Sequence, residues 1–264
     1  MRLISRQRVL LVIVLLAAFM VEAPATRSQQ AATDQAAESS PNPATRDGDS
    51  PVTPENVGDA LFFHHRYEKA IEAYKKAPRS SSRVWNKIGI CYEMLLDLKN
   101  AERCYRESLR LNRRDDRVWN NLGSVYDAMQ DHTRAERQYR QALKINPKSA
   151  VTLRNLGTNL IFQNQFEQGQ QLYKRALALD CTVFDSDIDI PVTTSTASVH
   201  QLGAMNYYKA KDYAQAGMTS QAIKSLRKAL NEGFTTPEEI VQDSSFAPLH
   251  SDPAFQRLIA EQQK

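Results

Sequence analysis

From Pro54 to Leu179 the apolar and small residues return every three or four positions, and no stretch of useful length alternates with a period of two. This spacing predicts helices throughout and no strands. The stretch Asp116–Ser149 shows it most clearly. Trp119, Leu122, Gly123 and Tyr126 fall on one helix; Ala135, Tyr139 and Ala142 fall on the next, and Pro147 follows. Gly123, Ala135 and Ala142 sit where two antiparallel helices approach too closely for a large side chain, and the aromatic residues and Leu122 fill the space beside them. Asp116 is expected to cap the first helix, and Pro147 cannot continue the second.

The same order returns 34 residues earlier as Trp85, Ile88, Gly89, Tyr92, Ala101, Tyr105 and Ser108. It returns 34 residues later as Leu153, Leu156, Gly157, Leu160, Gly169, Tyr173 and Ala176. A weaker copy, three residues short, holds Val57, Gly58, Leu61, Ala70, Tyr74 and Ala77, and Pro78 is expected to end its second helix early. One such unit cannot bury its apolar face alone, so the four must stack.

These residues resemble the tetratricopeptide repeat, a two-helix unit whose signature is W-x2-L-G-x2-Y…A-x3-F/Y-x2-A…P. The resemblance implies an all-α helix-turn-helix solenoid, a right-handed superhelix, with four repeats over residues 53–180. It also implies a concave groove lined by positions two, five, nine and twelve of each repeat. Carried over, these are Glu55, Asp59 and Phe62, then Arg83, Asn86, Ile90 and Glu93. The third repeat supplies Arg117, Asn120, Ser124 and Asp127; the fourth supplies Val151, Arg154, Thr158 and Ile161. Some members of the family grip a terminal carboxylate with Lys at position five and Asn at position nine. No repeat here has either, so that activity is not expected.

Stacking is expected to set Arg83, Arg117 and Arg154 along one wall, where planar guanidinium groups suit an acidic segment. Glu55, Asp59 and Glu93 lie toward the other end and would favour a basic flank. The expected partner is therefore a protein or peptide, with no cofactor and no metal. A second reading makes the chain a structural part of an envelope or secretion assembly, working through its convex or end surfaces.

Outside the repeats the pattern changes. Arg2, Arg6 and Arg8 precede an apolar run, Val9–Val21, and Ala23-Pro24-Ala25 fits a signal-peptide cleavage site. Residues 1–25 are thus expected to direct export to the periplasm or beyond. The run is too short to cross a bilayer comfortably, so no membrane span is expected after signal removal, although retention as an anchor is the alternative. Residues 26–52, rich in Ser, Gln, Ala and Pro, read as a disordered linker.

Residues 181–198 read as a polar loop. Asp185, Asp187 and Asp189 have the spacing of a calcium loop's start, but the glycine is missing and Thr196 stands where Glu is needed. Residues 199–264 read as a divergent fifth repeat, with Ala210, Tyr213, Ala222, Leu226 and Ala229, followed by two short capping helices. This end resembles the closing region of many bacterial members of the family.

Charge alters the picture little. The whole chain carries +4, but its first 25 residues hold three arginines and one glutamate, leaving +2 for the rest. Without a basic tract interleaved with aromatics, nucleic-acid binding is not expected. Cys91 and Cys104 lie on paired helices, where a bridge is conceivable; two packed thiols are the expectation. No nucleophile, base and orienting group share a motif, and His64, His65, His132, His200 and His250 fall at turns and helix ends. The chain is not expected to be an enzyme.

Overall fold

Most helices begin where a short polar side chain can take up a free backbone N–H, although those starting at Tyr67, Phe166 and Thr219 have no such cap. Thr53 accepts from the Asn56 N–H at 3.1 Å, and Ser81, Asp97, Asp131 and Ser149 cap their helices alike. The computed structural model describes residues 53–184 and 197–262. The expected signal peptide, linker and Asp185–Thr196 segment lie outside those residues.

The four repeats are the pairs α1 (Pro54–Phe63) and α2 (Tyr67–Tyr74), α3 (Ser82–Met94) and α4 (Leu98–Leu111), α5 (Asp116–Ala128) and α6 (His132–Ile145), and α7 (Ala150–Phe162) and α8 (Phe166–Leu179). A fifth pair follows as α9 (Val199–Gln215) and α10 (Thr219–Asn231). Each helix packs on its partner and on the next pair, which makes a solenoid with no strand among the described residues. Asp115 is the cap of α5, accepting from the Arg117 N–H; Asp116, the expected cap, is instead the first helical residue. The second helix of the first repeat stops at Tyr74, short of Pro78.

One contact sets the spacing inside each pair. A Cβ placed on Gly58, Gly89, Gly123 or Gly157 would lie 2.3–2.6 Å from the ring of Tyr74, Tyr105, Tyr139 or Tyr173, respectively. The tyrosine sixteen residues on therefore lies flat against bare glycine backbone. In the fifth pair the two positions are Ala210 and Leu226, both fully buried. A methyl on one helix is matched there by a smaller side chain on the other.

The turns between paired helices share a second requirement. His65, Leu96, Gln130 and Asn164 all have φ of 57–63°, and Gly217 has φ of 74°. Each tight turn needs one left-handed residue, a conformation disfavoured for most side chains. Gly217, Asn164 and His65 belong to types enriched there, whereas Leu96 and Gln130 do not.

The C-terminal end closes the stack as expected, with one element more. Thr236 and Glu239 form a capping box for α11 (Pro237–Gln242), and α12 (Pro253–Gln262) begins after Asp252. Between them a 3-10 helix, Ser244–Leu249, inserts Phe246 and Leu249 into the apolar cluster built on Ala210, Leu226 and Ile240. The start of the expected polar loop is also packed. Val183 is buried against Leu153 and Ala176, and the Phe184 ring lies between those of Tyr173 and Tyr213.

Cys91 and Cys104 are both buried as free thiols, and burial pushes them up to about 12 and about 11. At such values they behave as apolar filling.

Candidate peptide-binding groove

Adjacent first helices meet along the groove face, beginning with a cluster of opposite charges. Arg83 and Lys87 both reach Glu55 at 2.8 Å, and Lys87 also reaches Asp59 at 2.7 Å. Partial burial would raise the two carboxyls; the bonds from Lys87, with Arg83 on Glu55 and Tyr74 on Asp59, outweigh it and hold both below their usual range. Arg117 pairs with Asp115 and leaves 77% of its side chain exposed, while 71% of the Arg83 side chain is exposed.

A chain of side-chain amides then runs across three repeats. Asn121 donates to Asn86 at 3.2 Å, Asn120 to Asn121 at 3.4 Å, and Asn155 to Asn120 at 3.0 Å. Arg154 ends the chain by donating to Asn155 and, at 2.7 Å, to the Val183 carbonyl. Asn86 and Asn121 stay half-exposed, whereas Asn120, Asn155 and Arg154 are buried.

This corrects the expectation of three arginines on one open wall. Arg83 and Arg117 face solvent, but the Val183 segment folds over Arg154 and takes up its guanidinium. Asn120 is likewise a structural residue. Asn120→Ala is expected to cost about 1–3 kcal/mol, because the Asn155 amide loses its acceptor in a buried place. Urea denaturation checks this, and a loss below about 0.5 kcal/mol, the usual range of a surface change, would contradict it.

Position twelve is buried too. Glu93 accepts from the Tyr105 hydroxyl at 2.7 Å and the Ser124 hydroxyl at 3.0 Å. Asp127 accepts from Tyr139, His132 and Asn159. Burial raises both carboxyls despite these bonds. In the fourth repeat the Thr158 and Tyr173 hydroxyls share a hydrogen bond at 2.6 Å. A buried tyrosine hydroxyl needs a partner, and these groove positions supply it. A carboxylate twelve residues before a repeat tyrosine (Glu93 to Tyr105, Asp127 to Tyr139) was the available sequence signal.

His132 has an aspartate partner after all, Asp127 at 2.8 Å, brought to it across the turn from α5 to α6. The other contacts of that carboxylate come from Tyr139 and Asn159, both buried, so the group is an internal brace. Ile161 is buried as well, whereas Glu55, Asp59, Phe62, Asn86, Ile90, Asn121, Thr158 and the exposed Val151 keep accessible surface beside Arg83 and Arg117. Among the described residues no group of three or more His, Cys, Asp or Glu could hold a metal, and no helix is long and apolar enough to cross a membrane.

A family model described as tetratricopeptide repeat matches residues 80–148 and 117–182. Residues 80–182 thus match the tetratricopeptide repeat. Repeats of this family are protein–protein interaction scaffolds and generally lack catalytic activity. A structure described as the functional characterization of Pseudomonas aeruginosa pilF aligns with a TM-score of 0.52 at 15% identity, over 79% of this chain and 86% of that one. The crystal structure of MamA aligns with a TM-score of 0.47 at 17% identity, over 71% of this chain and 98% of that one. YrrB, described as a TPR protein with an unusual peptide-binding site, gives 0.45 at 17%, over 68% and 84%. At these identities the likeness concerns the fold. Comparison with curated proteins finds no match.

Proposed function

We propose that the protein is a non-catalytic scaffold that holds an extended or helical segment of another protein on the first helices of repeats one to three. The observation that carries this reading is the row of side-chain amides. Asn86 and Asn121 are half-exposed on neighbouring helices and keep unspent donors and acceptors, the chemistry needed to meet a peptide backbone. Ile90 and Phe62 offer apolar contact beside them. Arg83 and Arg117 stand at the edge and favour acidic side chains on the ligand, although each already has a carboxylate partner. Exposed ion pairs contribute only about 0–1 kcal/mol each, so the amide row has to provide the positioning.

A photo-crosslinking residue at Ile90 should capture a partner segment whose affinity for the intact protein can then be measured. The double change Arg83→Glu and Arg117→Glu should weaken that segment about tenfold, two exposed attractions having become repulsions, with helix content unchanged. Unchanged affinity would move the binding surface off this groove.

Export belongs to the same proposal. The apolar run Val9–Val21 behind three arginines supports it, and N-terminal sequencing should find the mature chain beginning near Thr26. A retained Met1 on a protein recovered from the cytoplasm would remove it.

A further inference from the structure

The second helix of each of the first three repeats and the first helix of the next leave a cleft between them, and these clefts share no residue with the groove positions. Three follow one another along the stack, with volumes of 240, 470 and 410 Å³. Trp85, Ile88 and Tyr92 floor the first; Trp119, Leu122 and Tyr126 floor the second. Leu156, Leu160 and Leu172 floor the third.

The rims are cationic in register. The residue after each repeat tyrosine is Lys75, Arg106 or Arg140, and four positions later stands Arg79, Arg110 or Lys144. Arg103, Arg113 and Arg175 add a third cation to each cleft in turn. No acidic residue is among the linings of any of the three. Arg106, Arg110 and Arg140 pair along their own helices with Glu102, Glu107 and Glu136, which stand outside the linings. The six nominal positions of the two rows are all exposed.

The indoles are also held in place. Trp85 Nε1 donates to the Arg79 carbonyl and Trp119 Nε1 to the Arg113 carbonyl, each at 2.9 Å. A fixed aromatic floor under a basic rim binds without having to order its own side chains first, which lowers the entropic cost of association.

We propose that this row of clefts is a second docking surface, for an acidic protein segment carrying aliphatic or aromatic side chains. One volume lies below the usual range for small-molecule sites, about 300–1,000 Å³, and the other two lie in its lower half. The repetition in register suits a ligand that is itself a chain. Carboxylates match the guanidinium rims, and apolar side chains match the Trp, Tyr and Leu floors. The surface is independent of the groove and stands whether or not the groove binds.

Both tryptophans of the chain are in the clefts, so intrinsic fluorescence reports this surface selectively. The probe is a labelled synthetic peptide of Leu-Phe and Glu-Glu pairs, compared with the same peptide carrying Lys for every Glu. The acidic peptide should shift tryptophan emission on binding, and the lysine peptide should not. The triple change Arg79→Glu, Arg110→Glu and Lys144→Glu should weaken the acidic peptide at least about tenfold, three exposed pairs being lost together. The groove variant Arg83→Glu with Arg117→Glu should bind it as the parent does. Retained affinity in the triple variant, or loss only in the groove variant, would overturn the proposal. So would tighter binding of single-stranded RNA or of phosphatidylserine vesicles than of the acidic peptide.

Discussion

Gly123→Leu should lower the stability of the folded chain by about 3 kcal/mol or more, at the upper end of overpacking costs. A Cβ on Gly123 would lie 2.6 Å from Tyr139 Cε1 and 2.7 Å from Cδ1. The ring has nowhere to go. Tyr139 is fully buried, and its hydroxyl is tied to Asp127 Oδ2 at 3.0 Å. Accommodating a leucine therefore means pushing α6 away from α5, which loosens the contacts of both with α7. Gly123→Ala should cost about 1–3 kcal/mol for the same reason. The fifth pair suggests the remedy, since it sets Ala210 opposite the smaller Leu226. Gly123→Ala combined with Tyr139→Leu should accordingly recover part of the loss. Urea denaturation of the three variants checks this; equal midpoints for Gly123→Ala and the parent would mean that glycine is not what lets the helices approach.

The second large effect is a gain. Asp212, on α9, is buried and receives one hydrogen bond, from the Gln170 side chain at 3.2 Å. Its Oδ2 has no hydrogen-bond partner among the described residues. Burial pushes its carboxyl up to about 7, against the lesser opposing influence of Gln170, Lys174 and Lys211. The folded-state value lies above the unfolded one, so the folded chain binds the proton more tightly. The stabilisation is fully present below about pH 4 and is lost as pH climbs to about 7. From 3.8 to about 7, at about 1.4 kcal/mol for each pH unit, the loss reaches about 4 kcal/mol, an upper figure that local relaxation will reduce. Asp212→Asn keeps an acceptor for Gln170 and removes the ionisation. The variant should match the parent near pH 4 and exceed it by about 2–4 kcal/mol above pH 7. A constant difference across that range, in thermal unfolding followed by circular dichroism, would show that Asp212 does not ionise within it.

Polar residues assigned to the groove divide into open and sealed ones. Arg83 and Arg117, which the repeat register assigns to the groove, are exposed at their tips. Glu93 and Asp127 occupy equivalent groove positions and are sealed by tyrosines of their own second helices. Asn120 and Arg154 are sealed by the next repeat and by Val183. A register assigns each residue to a face, but accessibility depends on what the neighbouring turns of the solenoid lay over it.

The amino-acid sequence by itself determined the helices, their pairing and the 34-residue register. Those depend on local matters: capping side chains, prolines that stop helices, and glycines and alanines where two helices nearly touch. It also marked the fifth pair and the capping end, since Ala210, Leu226 and the Thr236 capping box carry the same local signals. Tertiary structure alone decided which groove side chains remain open, which buried acid lacks a partner, and that three basic clefts follow one another along the stack. Each of these depends on atoms from two or three repeats meeting. The distances across a repeat interface, such as Arg154 to the Val183 carbonyl or Asp127 to Asn159, are set by how the pairs stack and have no counterpart in any local run of residues.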